Sequence, residues 1–212
     1  MSRKRRIRWI VRIIGLLVVC GLGIFGYQRW GDYNLFLNLH VVEQGLLLRS
    51  AQPHIGDIKR IHEEYKPGTI FCVSGRENKY VQMYAKDHGI KVLSISIPPG
   101  GTPTEEQVEL WFDLMEGKTI KLKKYSDILA EWPDDNKRRI RFPFPVLVHC
   151  RAGSDRAGVL VALYRIYFQG WSKDDAKRDM LKHFHNPLLN PGPYKFLDQY
   201  QDQGRKRKAI YY

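Results

Sequence analysis

The sequence predicts an α/β fold: a mostly parallel central sheet flanked by helices and preceded by one N-terminal transmembrane helix. Three observations predict it. From Phe36 onward, short apolar runs alternate with segments of helical spacing, the pattern of repeated strand–helix units. The first 30 residues hold a cluster of cations and then an uncharged apolar run. The chain has 212 residues, 43% of them hydrophobic and 12% aromatic, which suffices for one sizeable core and falls short of two comfortable domains.

The N-terminus comes first. Arg3, Lys4, Arg5, Arg6, Arg8 and Arg12 precede an uncharged run from Ile13 to Tyr27, with Trp9, Tyr27 and Trp30 placed as interfacial aromatics. Counted from Trp9, the stretch is about long enough to cross a bilayer with Arg12 snorkelling to the interface. A retained single-span anchor is the favoured reading. A cleaved signal needs small residues after the run, which Phe25-Gly26-Tyr27-Gln28-Arg29 lacks, and a surface-lying helix is the third option. The charge asymmetry then places the N-terminus in the cytoplasm and the rest of the chain outside it, in a periplasm or its equivalent.

The net charge of +13 divides unevenly. Residues 1 to 29 carry seven Lys/Arg and no acids, leaving 28 minus 22, or +6, for the remainder. That moderate excess suits an anionic substrate better than a nucleic-acid groove, and no nucleic-acid motif accompanies it. The expected organisation is a basic segment and anchor over 1–30, one domain over 31–203 with a charged, irregular insertion at about 117–144, and a basic tail over 204–212.

Within the domain, Val41 to Leu48 reads as a hairpin turning at Gln44-Gly45. Ile55 to Tyr65 has helical spacing, Thr69 to Val73 is a buried strand run, and Ser74 to Asn78 is a polar break. A helix from about Tyr80 to His88 and a strand from Ile90 to Ile97 follow. Thr104-Glu105-Glu106-Gln107 opens a helix with capping-box spacing. Beyond the charged segment, Pro145 to Val148 is a strand, Gly158 to Phe168 an almost wholly apolar helix, and Ser172 caps one more helix reaching about Phe184.

The chemistry is carried by Val146-Leu147-Val148-His149-Cys150-Arg151-Ala152-Gly153-Ser154-Asp155-Arg156-Ala157-Gly158. A strand ends, a cysteine follows, and an arginine comes six positions later as a buried helix begins. Successive loop N–H groups and the helix's positive end converge on one point, which suits a phosphate dianion. Arg156 can clamp two phosphate oxygens, and the same field favours Cys150 as a thiolate nucleophile. Three cysteines (Cys20, Cys72 and Cys150) form neither a disulfide scaffold nor a zinc spacing.

The run His-Cys-x5-Arg between a strand and a helix resembles the signature of the protein tyrosine and dual-specificity phosphatases, loosely from Leu46 to about Phe184. The resemblance implies a dual-specificity-phosphatase-like fold and hydrolysis of phosphate monoesters, on phosphoprotein or phospholipid, through a cysteinyl phosphate. It implies Cys150 as nucleophile, Arg151, Ala152, Gly153, Ser154, Asp155 and Arg156 as the phosphate cradle, His149 as its support, and neither metal nor cofactor. A Gly-x-Asp-Arg ending resembles a bacterial atypical subgroup in which the loop aspartate is the general acid, here Asp155, although Ser154 stands where that subgroup usually has Lys. Trp132-Pro133-Asp134 spells the acid tripeptide of tyrosine phosphatases, but it precedes the cysteine strand with no room for the intervening helix.

Ala157 stands where many family members have Ser or Thr and predicts slower phosphoenzyme hydrolysis, or compensation elsewhere. A catalytically inactive phosphate-binding relative is the alternative, and a sulfur-transferring or arsenate-reducing enzyme a weaker one. Arg76 is a lesser candidate for substrate contact. Cys72 is a core residue or a partner for a protective disulfide with Cys150.

Overall fold

The computed structural model describes residues 3–30, 34, 36–131 and 139–201. Its main sheet has six strands in the order β1 (His40–Glu43), β2 (Leu47–Ala51), β8 (Val146–Cys150), β3 (Thr69–Cys72), β4 (Lys91–Ile95) and β6 (Leu129–Glu131). β2, β8, β3 and β4 run parallel, while β1 and β6 close the edges antiparallel. The expected mostly parallel α/β sheet is therefore present. β5 (Thr119–Lys121) and β7 (Arg139–Arg141) pair separately.

The local signals explain most elements. Gly45 takes φ 71 at the β1–β2 turn, which favours a residue without Cβ. α2 spans Ile55–Tyr65, and α3 spans Lys79–Asp87 with Asn78 accepting the Tyr80 amide at its N-cap. α4, Glu105–Met115, starts with the capping box of Thr104 and Gln107. α5 spans Arg156–Tyr167, α6 Lys173–Lys182 behind Ser172, and α7 Gly192–Gln199.

The sheet buries both faces. On one, Leu48, Ile70 and Leu147 pack against Ile58 and Ile61 of α2 and Val81 and Ala85 of α3. On the other, Leu47, Phe71, Val148 and Cys150 face α4, α5 and α6. Burial on both sides is why the central strands read as continuous apolar runs. β8 lies in the middle, so its carboxyl end is held from both sides.

Two expectations change. The charged stretch at 117–144 is not irregular throughout: it supplies β5, a 3-10 turn at Leu122–Tyr125, β6 and β7, and β6 extends the main sheet beside β4. The N-terminal transmembrane helix is overturned. α1 runs Arg3–Trp30, yet among the described residues no helix is long and apolar enough to cross a membrane. Residues 13 to 28, the 16 positions between Arg12 and Arg29, reach about 24 Å as a helix against a hydrocarbon core of about 30 Å. The single-pass anchor, the membrane partnership it gave and the extracytoplasmic placement of the domain rested on that helix and fall with it. The basic tail from 204 lies outside the described residues.

Trp111 ties the layers together. It is fully buried, stacks on Phe71 with centroids 5.7 Å apart, and donates from Nε1 to the Leu160 carbonyl at 2.9 Å. Trp111→Ala is expected to cost about 4 kcal/mol in urea unfolding, as large core truncations do. A loss below about 1 kcal/mol would mean that this layer is not the core of the domain.

Candidate active site

The parallel register puts Ala51 beside Cys150 and Cys72 beside His149 at the carboxyl edge of the sheet. The chain leaves β8 at Cys150, loops through 151–155 and enters α5 at Arg156. The loop is shaped by what holds its outer side. The Arg151 carbonyl accepts from the Gln52 amide at 3.4 Å, and the Ala152 carbonyl accepts from Asn38 Nδ2 at 3.2 Å. With those carbonyls turned outward, an N–H turns inward: the Gly153 amide donates to Cys150 Sγ at 3.2 Å. Gly153 has φ 71, and a Cβ there would lie 2.7 Å from Ser50 and Ala51 backbone atoms. Only glycine lets the loop press against β2 in this way.

The other expected residues take definite places. Arg156 is buried and donates from one Nη to the Ile97 carbonyl at 3.1 Å, which fixes the guanidinium while its other donors have no partner among the described residues. Ser154 is buried, whereas Arg151 and Ala152 are exposed at the rim. Asp155 does not cap its helix. Its carboxyl group lies at hydrogen-bond distance, 2.7 Å, from His185 Nδ1 and accepts from Asn190 Nδ2 at 2.9 Å, and its side chain is 33% exposed. Arg76 is 81% exposed and pairs with Glu131 at 3.6 Å, away from the loop. Asp134 lies outside the described residues. Ala157 is buried in the core.

His149 lies on the opposite face of β8 from Cys150. Its Nε2 pairs with Glu77, and both side chains are fully enclosed. Burial favours the neutral ring, but Glu77 and Cys72 beside it outweigh burial and raise His149 well above its ordinary value. Donor atoms of Cys72, Glu77 and His149 lie within 4.8 Å of one another. With His149 protonated, the trio is a proton-sharing cluster, since an imidazolium offers no lone pair to a cation. Strand alternation sends Cys72 to the His149 face and Cys150 to the other, and both are free thiols. A direct link between them requires the loop to rebuild.

Several site residues left no mark in sequence reasoning. Glu77 sits in a polar turn, and its burial follows from a partner 72 residues away. His185 and Asn190 reach Asp155 from the connection between α6 and α7. Arg49, on β2, is fully buried, and none of its guanidinium nitrogens has a hydrogen-bond partner among the described residues. Burial lowers it to about 10, with Asp179 and Cys150 pulling the other way, so it remains a cation at neutral pH. A groove of about 750 Å³ between α4 and α7 is lined by Glu105, Glu106 and Glu109 with Phe112 and Phe196. Its acids repel anions, and it does not include the loop.

A strand, a cysteine loop with the Gly153 amide aimed at the sulfur and a helix opening on arginine form the candidate site. The chain belongs to the tyrosine phosphatase family, whose model matches residues 31–182. It is 50% identical over 36 residues to the dual specificity protein phosphatase TpbA of Pseudomonas aeruginosa. That stretch spans 17% of this chain and 16% of TpbA's length. Its fold is similar to the core catalytic domain of the PP-IP phosphatase Siw14 of S. cerevisiae, solved with citrate: TM-score 0.58, 20% identity, 79% of this chain and 87% of that one. It is also similar to PTPMT1 in complex with PI(5)P: TM-score 0.51, 19% identity, 76% and 95% covered.

The buried pair beneath the loop generates a stability prediction. Glu77→Gln leaves a buried imidazole without its counter-charge, and a loss of about 3 kcal/mol is expected in urea unfolding near neutral pH. Because His149 is raised in the folded state, its stabilising contribution is complete below about pH 6.5 and fades as pH climbs through the folded value. Wild type should therefore lose stability with rising pH over that window, and Glu77→Gln should show a flatter profile. Parallel profiles would argue against a charged His149.

Proposed function

We propose that the chain is a cysteine-dependent phosphatase that hydrolyses phosphate monoesters through a cysteinyl phosphate on Cys150. The observation that carries this reading is the Gly153 amide aimed at Cys150 Sγ in a loop whose Arg151 and Ala152 carbonyls are tied outward. The inward Gly153 N–H and the remaining donors of Arg156 suit the equatorial oxygens of a transferring phosphoryl group, where charge is greatest in the transition state.

The steps balance on this chain's own residues. The Cys150 thiolate attacks phosphorus, the S–P bond forms and the P–O ester bond breaks. Asp155 gives its proton to the leaving oxygen. Water then adds to phosphorus, returning a proton to Asp155 and releasing Cys150 as thiolate and inorganic phosphate. The His185 ring, at hydrogen-bond distance from the Asp155 carboxyl, orients that group. Ala157 offers no hydroxyl to assist the departing sulfur, which slows the second step.

The substrates this reading favours are phosphoproteins or phospholipids. The family and the likeness to TpbA support the first, and the likeness to a PI(5)P-bound phosphatase supports the second. Ala157 favours one alternative, a binder that holds phosphate without turnover.

Turnover of para-nitrophenyl phosphate in EDTA, abolished by Cys150→Ser, is the expected result. Tight phosphate binding without turnover would favour the binder. Asp155→Asn should slow release of a poor leaving group, such as the alcohol of an alkyl phosphate, about 100-fold or more, and para-nitrophenolate release much less. Equal slowing of both would remove Asp155 from the acid role.

A further inference from the structure

A buried guanidinium without hydrogen bonds is costly to fold, and Arg49 is such a group. It sits on the strand beside the nucleophile's own. Its register partner is Val148, two residues before Cys150 on the same face of β8. Leu47, two residues before Arg49, joins that same core layer, so Arg49 projects to the Cys150 side of the sheet.

The charged and titratable groups around it come from four elements. β1 brings His40, its cross-strand partner. α5 brings Arg165, α6 brings Asp179, with His183 at that helix's end, and β8 brings Cys150. Asp179 is already held by Arg165 at 3.1 Å. His40 stacks on His183 with centroids 4.5 Å apart, and burial together with Arg49 pushes His40 toward its neutral form. On the other face, Glu77 and His149 cancel each other. Farther along β1, Glu43 lies on the same face and is taken by Tyr164 and Gln169. The groups acting on Arg49 itself are therefore a second guanidinium, one carboxylate already paired with it, and the Cys150 sulfur. With Arg49 shielded from water, its field acts on neighbours with little screening.

We propose that Arg49 is a positioning residue of the phosphatase reaction, a buried cation whose counter-charge is the Cys150 thiolate. It acts through the sulfur, keeping it ionised from within the sheet while Arg156 serves the substrate. The inference rests on the proposed function, since it assigns a role in readying that nucleophile.

The test is the pH dependence of Cys150 alkylation by iodoacetamide in the full chain, read on the Cys150-containing peptide by mass spectrometry. Arg49→Met keeps volume and removes the charge. Its alkylation midpoint should rise by about one pH unit, an approximately tenfold slower reaction below both midpoints. Arg49→Lys should stay close to wild type. Asp179→Asn removes a nearby negative charge and should move the midpoint downward. A merely structural role moves Arg49→Met and Asp179→Asn in the same direction, toward an ordinary thiol. An unchanged midpoint in folded Arg49→Met, or upward shifts in both variants, overturns the proposal. If Arg49→Met does not fold, a wild-type-like Arg49→Lys with a lowered Asp179→Asn midpoint supports it, and any other pair of results overturns it. A wild-type midpoint no lower than that of the urea-unfolded chain would instead overturn the proposed function.

Discussion

A peptide loop can face an anion only if its carbonyls are kept elsewhere, and that constraint organises the domain. The carbonyls of residues 151 and 152 are taken by the Gln52 amide and the Asn38 side chain, both from the segments flanking the β1–β2 hairpin. Gly153 then lies flat against β2, closer than any side chain permits. Pairing β2 with β8 is thus what gives the loop its inner surface. The antiparallel edge strand β1 stabilises β2, and the two helical layers hold β8 at the centre.

Charge is arranged around the same point on both faces of the sheet. On the α2–α3 side, His149 and Glu77 form an enclosed pair one residue before Cys150. On the α5–α6 side, Arg49 and Arg165 outnumber Asp179. Asp155 is drawn out of the helix cap and held by His185 and Asn190, which leaves the N-terminus of α5 open to an anion. Buried ionic groups of this kind cost stability and are worth keeping where they ready a site for charge.

Much of this was legible from local pattern. Ile55–Tyr65, the Thr104 capping box and the strand–loop–helix around Cys150 stand in the structure close to where their spacing put them, because each is specified by residues within a few positions. What the sequence hid depends on distant partners. Glu77 looks like a turn residue until His149 arrives from another strand, and Asp155 has no visible holder until residues 185 and 190 fold back. Arg49, inside an apolar run, carries no sign of its burial. The N-terminal segment failed in the other direction. Its apolarity was local and plain, but the span between Arg12 and Arg29 is too short to cross a bilayer.

The decisive measurement is rapid acid quenching during turnover, followed by peptide mass spectrometry for a phosphoryl adduct. A phosphate on the Cys150-containing peptide, accumulating because Ala157 leaves the second step slow and absent in Cys150→Ser, is the predicted result. Steady turnover with no adduct on that peptide, or an adduct on another residue, would contradict the account.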